Sequence, residues 1–105
     1  MMGYQYWYDL REQLSDNEKV DYLRTVFCRE APFDPLHNLM DAWSLIESKG
    51  FTKVEFERED DATRLYNCRA YIGSNTCFDD WYAATLQEAI VNVVMKAYDS
   101  GVRIW

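Results

Sequence analysis

The sequence has few of the residues that interrupt secondary structure: 4 Gly and 2 Pro among 105 residues. Long flexible linkers are thereby excluded, and one domain spanning residues 1–105 is expected. Cysteine is scarce and odd in number. Cys28, Cys68 and Cys77 include no C-x-x-C spacing, so neither a disulfide framework nor a zinc site is expected, and a reducing cytosol fits best. No apolar run approaches the roughly 18 residues that a membrane span requires. The opening Met1-Met2-Gly3-Tyr4-Gln5-Tyr6 has neither the basic nor the apolar region of a signal peptide. A cytoplasmic protein without a membrane partner is expected. Basic residues are outnumbered, 11 Lys+Arg against 18 Asp+Glu, for a net charge of −7. A general nucleic-acid binder needs a basic face to neutralise phosphates, so direct nucleic-acid binding is not expected. A charge of this sign serves solubility or attracts a basic partner. Also lacking are a glycine-rich phosphate loop, a G-x-S-x-G elbow and any cysteine with a histidine near it in sequence. No catalytic residue and no cofactor are therefore assigned.

Core material, by contrast, is plentiful. Apolar residues make up 49% of the chain and aromatic residues 16%, the reverse of a disordered composition. Tyr4-Gln5-Tyr6-Trp7-Tyr8 is dense in aromatics and fits either a short helix or an extended arm, whose rings close an end of the core or present a patch for association. Ser15-Asp16-Asn17-Glu18 is a capping box and predicts a helix over about 16–29, with Val20, Leu23 and Phe27 at helical spacing and Pro32 as the stop. Asp34-Pro35 predicts a second helix, Asp34 as N-cap and Pro35 in the first turn, with Leu36, Leu39, Met40, Trp43 and Ile46 as one apolar stripe and Gly50 as the terminator. From Phe51 the period switches to two. Val54 and Phe56 face one way, and Lys53, Glu55 and Glu57 the other, to about Arg58.

A second strand is predicted from Arg64 to Ile72, with Tyr66, Cys68, Ala70 and Ile72 on one face, and a third over about 77–83. Thr85-Leu86-Gln87-Glu88 reads as a second capping box opening a helix over 86–99, with Leu86, Ala89, Ile90, Val93, Val94 and Ala97 as its apolar face and Gly101 after it. Strands joined by short turns form an antiparallel meander. The expected fold is α+β: a three-stranded antiparallel meander packed against two helices with an additional N-terminal helix, in the order α-α-β-β-β-α. Residues 1–33 form the aromatic arm and N-terminal helix, and residues 34–105 the α-β-β-β-α core.

Three stretches of Asp34–Ala97 resemble a known family. They are Met40-Asp41-Ala42-Trp43-Ser44-Leu45-Ile46-Glu47, against a D-A-W-x-L/V-x-E helix; the strand around Asn67-Cys68-Arg69-Ala70; and Trp81 to Ile90, against an A-x-T-x-x-x-A-I helix entry. Together they resemble the phage ABA-sandwich domain, a family of small phage and prophage proteins. The last helix departs from it, reading Val91-Asn92-Val93-Val94-Met95 where the family has Cys-Arg-Ala-Ala-Leu. The resemblance implies a phage-encoded accessory protein, in the host bacterial cytoplasm, and brings no catalytic residues with it. The strand-strand-strand-helix order also resembles the double-stranded-RNA-binding fold. The lysines that such a domain places at the start of its last helix are replaced here by Thr85, Leu86, Gln87 and Glu88.

Two constellations invite chemistry. His37, the single histidine, has Asp34 three residues before it and Asp41 four after, positions that share one helical face; without outside ligands this is an incomplete metal or base site. Glu55, Glu57, Glu59, Asp60 and Asp61 place five acids within seven residues, and Asp79 and Asp80 add two on the third strand of the same sheet. These seven residues are the candidate partner-binding set, a docking surface for a basic host or phage protein. The leading expectation is therefore a non-catalytic binding protein, with an anti-defence inhibitor as its sharpest form. One alternative is an oligomeric sponge for a nucleotide signal, drawing on Trp7, Tyr71, Trp81, Arg64 and Arg69. The other is a structural or assembly protein that self-associates.

Overall fold

The computed structural model describes residues 7–48, 50–58, 66–73 and 76–101. In chain order the elements are α1 (Trp7–Leu10), α2 (Asp16–Phe27), α3 (Leu39–Ser48), β1 (Lys53–Arg58), β2 (Tyr66–Ile72), β3 (Thr76–Ala83) and α4 (Leu86–Asp99). The strands form one antiparallel sheet in the order β1-β2-β3. This is the expected α+β meander followed by a helix that packs on the sheet. The single turn α1 is added at the front, and Trp7 and Tyr8 of the aromatic segment lie in it.

α2 begins as its capping box requires. Ser15 Oγ accepts from the Glu18 amide at 3.3 Å, and Glu18 Oε1 accepts from the Ser15 amide at 2.8 Å. Two of the helix's otherwise unpaired N-terminal donors are thereby satisfied. Val20, Leu23 and Phe27 form its buried face. The helix stops before Pro32, at Cys28, which takes a left-handed conformation (φ 55°) and turns its amide back onto the Arg24 and Thr25 carbonyls. α3 departs from expectation by starting at Leu39. Asp34 caps only an isolated turn, its Oδ1 accepting from the Leu36 and His37 amides, both at 3.1 Å. Asn38 then opens the helix: its Oδ1 accepts from the Asp41 amide and its carbonyl from the Ala42 amide, both at 3.1 Å. Two Asx side chains four residues apart each satisfy local amides, and the second splits off the predicted first turn. Gly50 (φ 78°) terminates the segment, a conformation that costs a glycine nothing sterically.

The start of α4 also differs in detail. Thr85 Oγ1 caps the Glu88 amide at 3.1 Å, but Glu88 Oε1 reaches past the cap to the Ala84 amide at 2.9 Å, so the box is displaced by one residue. In the sheet, Val54 stands opposite Ala70, Phe56 opposite Cys68, and Ala70 opposite Phe78. Cys68 and Ala70 are in the packed core, Val54 and Phe78 lie against it, and Phe56 shares their side of the sheet but is 40% exposed, so one parity of the meander faces the helices, as alternation requires. α4 lies across β2 and β3, and α3 packs beside α4. α3 reaches the sheet through Trp43, whose ring centroid is 6.3 Å from that of Phe56.

α4 is covered nearly all round. Ala89, Ile90, Val91, Val93, Val94, Met95 and Ala97 are buried, and so is Asn92, as suits the central helix of a small domain. Asn92 is tolerated there because Trp7, itself only 1% exposed, donates its indole Nε1–H to Asn92 Oδ1 at 2.7 Å. The Trp7 amide donates to Asp99 Oδ2 at 2.7 Å, and the indole stacks on Tyr22 with centroids 6.0 Å apart. Trp7 thus ties α1 to the middle and the C-terminal end of α4 and to α2.

Candidate interaction surface

The helices cover one face of the sheet. On the opposite parity, register places Glu55 opposite Arg69 and Arg69 opposite Asp79, one residue from each strand in a row. Arg69 Nη2 lies 3.8 Å from Asp79 Oδ2. Glu55 Oε1 accepts from the Tyr71 hydroxyl at 3.0 Å, and its Oε2 lies 3.3 Å from Lys53 Nζ. The Tyr71 hydrogen bond first, and Lys53 second, hold the Glu55 carboxyl below the usual carboxylate range. Glu57 stands opposite Asn67 and accepts from its Nδ2 at 3.5 Å. Of the seven acids expected to form a docking surface, Glu55, Glu57 and Asp79 are therefore on one sheet face, divided by the central strand's Arg69. Asp80 is opposite Cys68, where the β2–β3 register shifts. Glu59, Asp60 and Asp61 lie outside the described residues.

The His37 constellation closes differently from a shared helical face. His37 Nδ1 is 2.8 Å from Asp34 Oδ2 and its Nε2 3.9 Å from Asp16 Oδ2 of α2. Asp41 turns its Oδ2 to the Asp34 amide at 2.8 Å. The imidazole thus lies between Asp34 of the α2–α3 connection and Asp16 at the start of α2. Among the described residues no group of three or more His, Cys, Asp or Glu is placed to hold a metal ion. No cysteine is in a disulfide; Cys28 and Cys77 are exposed and Cys68 is buried. Trp7, a candidate aromatic for a nucleotide pocket, is in the core, where its indole is committed to Asn92. Arg64 lies outside the described residues.

One surface was not singled out by the sequence. Leu39, Met40, Trp43, Phe56, Leu86 and Ile90 line a groove of about 330 Å³ between the starts of α3 and α4 and strand β1. Met40 is 71% exposed, Leu39 43% and Phe56 40%. The predicted α3 stripe assigned Leu39 and Met40 to the core. The helix buries Ile46 of that stripe, but with Ala42 and Leu45, a set centred on another side of the wheel at 100° per residue. The signal was available: the apolar positions of α3 cover more of its circumference than one packing face can bury.

Compared with protein-family models, curated proteins and solved structures, the chain matches none.

Proposed function

We propose that this chain is a non-catalytic, phage-encoded accessory protein that acts by binding a basic host or phage protein, an anti-defence inhibitor being the form most worth testing. The observation that carries the proposal is the groove at Leu39, Met40 and Phe56. Large apolar side chains gathered in a concave, water-facing surface are what a protein interface buries at its centre, with polar groups at the rim. Phe56 lines this groove and also the depression on the other side of β1 that holds Glu55 and Glu57. A partner seated over β1 thus meets an apolar core and carboxylates together. The net charge of −7 favours a basic partner and speeds its approach. The phage character rests on the resemblance of the α3, β2 and α4-entry segments to the ABA-sandwich family.

The test is capture from bacterial lysate by the tagged protein, beside Met40→Ser and a Glu55→Lys/Glu57→Lys double variant, at low and high salt. One stoichiometric basic protein, held by the parent, lost with Met40→Ser and weakened by charge reversal or salt, is expected. The same proteins retained by all three chains would overturn the proposal. The same groove also favours a second reading, self-association. Light scattering across a hundredfold concentration range separates the two, since a mass that doubles in the parent but not in Met40→Ser assigns the groove to a second copy.

A further inference from the structure

The two edges of the sheet differ. At β3, Lys96 of α4 donates to the Asp79 carbonyl at 2.7 Å, and the ladder with β2 shifts register between Tyr66 and Cys68. A lysine on the main chain and a break in the ladder both keep an edge from pairing with another chain. β1 has neither. It pairs with β2 without interruption from Lys53 to Arg58. Among the described residues no other strand or helix lies along it, and no hydrogen bond from outside the sheet reaches its main chain. Every second residue of an antiparallel strand turns its N–H and C=O away from its neighbour. β1 therefore holds out a row of main-chain donors and acceptors.

Side chains decide what such an edge accepts. A twofold axis normal to the sheet keeps each face of one copy beside the same face of the other, so residues of one parity meet. Lys53, Glu55 and Glu57 share the uncovered face. With the axis at Lys53, Glu55 or Glu57, that residue meets its own like charge. With the axis at Phe56, Glu55 meets Glu57 of the second copy, twice. With the axis at Val54, Lys53 meets Glu55 of the second copy, twice, and Val54 meets Val54 on the helix side. Opposite charges directly across from each other stabilise a pair of strands and like charges destabilise it. The chain is thus complementary to itself in the last register alone. Lys53 and Glu55 are free to make these pairs: their side chains are 62% and 45% exposed, and within one chain they form a surface ion pair at 3.3 Å, which holds them weakly. We propose that β1 is a dimerisation edge, on which two copies pair antiparallel about a twofold axis at Val54 and join their sheets into one. The blunted β3 edges close the assembly at two copies. The inference goes beyond the partner proposed above and does not depend on it.

The experiment is sedimentation equilibrium of the full chain over about a hundredfold range of concentration, at about 0.15 M salt, where charges more than about 8 Å apart are screened. The parent is expected to pass from the mass of one chain to the mass of two. Lys53→Glu presents acids at both positions and Glu55→Lys presents lysines at both, so each variant is expected to weaken the dimer about thirtyfold. An equal mixture of the two variants sets acids against lysines at both pairs. It is expected to return to within about threefold of the parent, as is the double variant Lys53→Glu/Glu55→Lys. Recovery on mixing also shows that neither variant is unfolded. Met40→Ser, outside the edge, is expected to leave the dimer unchanged. A parent that stays monomeric, single variants that dimerise like the parent, a mixture that does not recover, or a dimer lost with Met40→Ser would each overturn the inference. Slow amide exchange along β1 in a monomeric parent would give the edge to another stretch of the same chain, and would overturn it as well.

Discussion

Trp7 and Asn92 are 85 positions apart and meet in the core at 2.7 Å. A four-residue helix cannot stand by itself, because nucleating a turn costs more than one hydrogen bond returns. α1 therefore depends on this contact, on the Trp7 amide's bond to Asp99 and on the stacking over Tyr22. Replacing Trp7 with Phe keeps an aromatic ring but removes the donor to Asn92 Oδ1 and leaves the volume of the lost ring unfilled. Losing one partner of a buried hydrogen bond costs about 1–3 kcal/mol, and the unfilled volume adds about 1 kcal/mol. Trp7→Phe is thus expected to destabilise the protein by about 3 kcal/mol, a fall in Tm of roughly 12–24 °C for a chain of this size. Asn92→Leu alone removes the acceptor and strands the indole N–H. The double variant removes both polar partners, so the two losses should fall short of additive by about 1–2 kcal/mol. Urea unfolding followed by far-ultraviolet circular dichroism measures all four stabilities. A Trp7→Phe chain within about 0.5 kcal/mol of the parent, or strictly additive losses, would refute the assignment of Trp7 as the anchor of α1.

Four further outcomes follow from local geometry. Ser15→Ala removes the cap of α2 and is expected to cost about 1 kcal/mol at neutral pH, seen as a lower Tm. Hydrogen bonds from the Ser15 backbone, then from its hydroxyl, hold the Glu18 carboxyl below its ordinary 4.5. Its contribution is present above the unfolded pKa and lost as pH falls through the folded one, so the Tm gap between parent and Glu18→Gln should close on going from pH 7 to pH 3. Cys28→Gly relieves a left-handed backbone at an exposed position and is expected to stabilise by up to about 1 kcal/mol; a lower Tm would count against that account of the helix stop. A thiol reagent should titrate Cys28 and Cys77 quickly in the native protein and Cys68 only after denaturant is added, and three fast thiols would contradict the burial of β2.

What the sequence settled by itself was local. Alternation at Val54, Phe56, Cys68 and Ala70 marked the strands and their inner face, because a side-chain period of two is written in neighbouring residues. The Ser15 box and the apolar repeat of α4 gave two helices, since a cap is complete within four residues and a stripe within two turns. Short turns between strands left the meander as the available topology. Tertiary structure decided the rest. Asp34 and Asn38 are both competent caps, and the folded chain uses both, Asp34 for an isolated turn and Asn38 for the start of α3, whose buried residues are Ala42, Leu45 and Ile46. That packing also turns Met40 and Leu39 to water, which an apolar count along one helix does not reveal. Trp7 is a core residue because Asn92, far along the chain, offers an acceptor inside the domain. Arg69 divides the acids of β1 from Asp79 of β3 because of cross-strand register. A pattern within a segment reports what that segment needs buried or capped. Which partner meets the need is a property of long-range contact, and here those contacts placed both candidate binding surfaces.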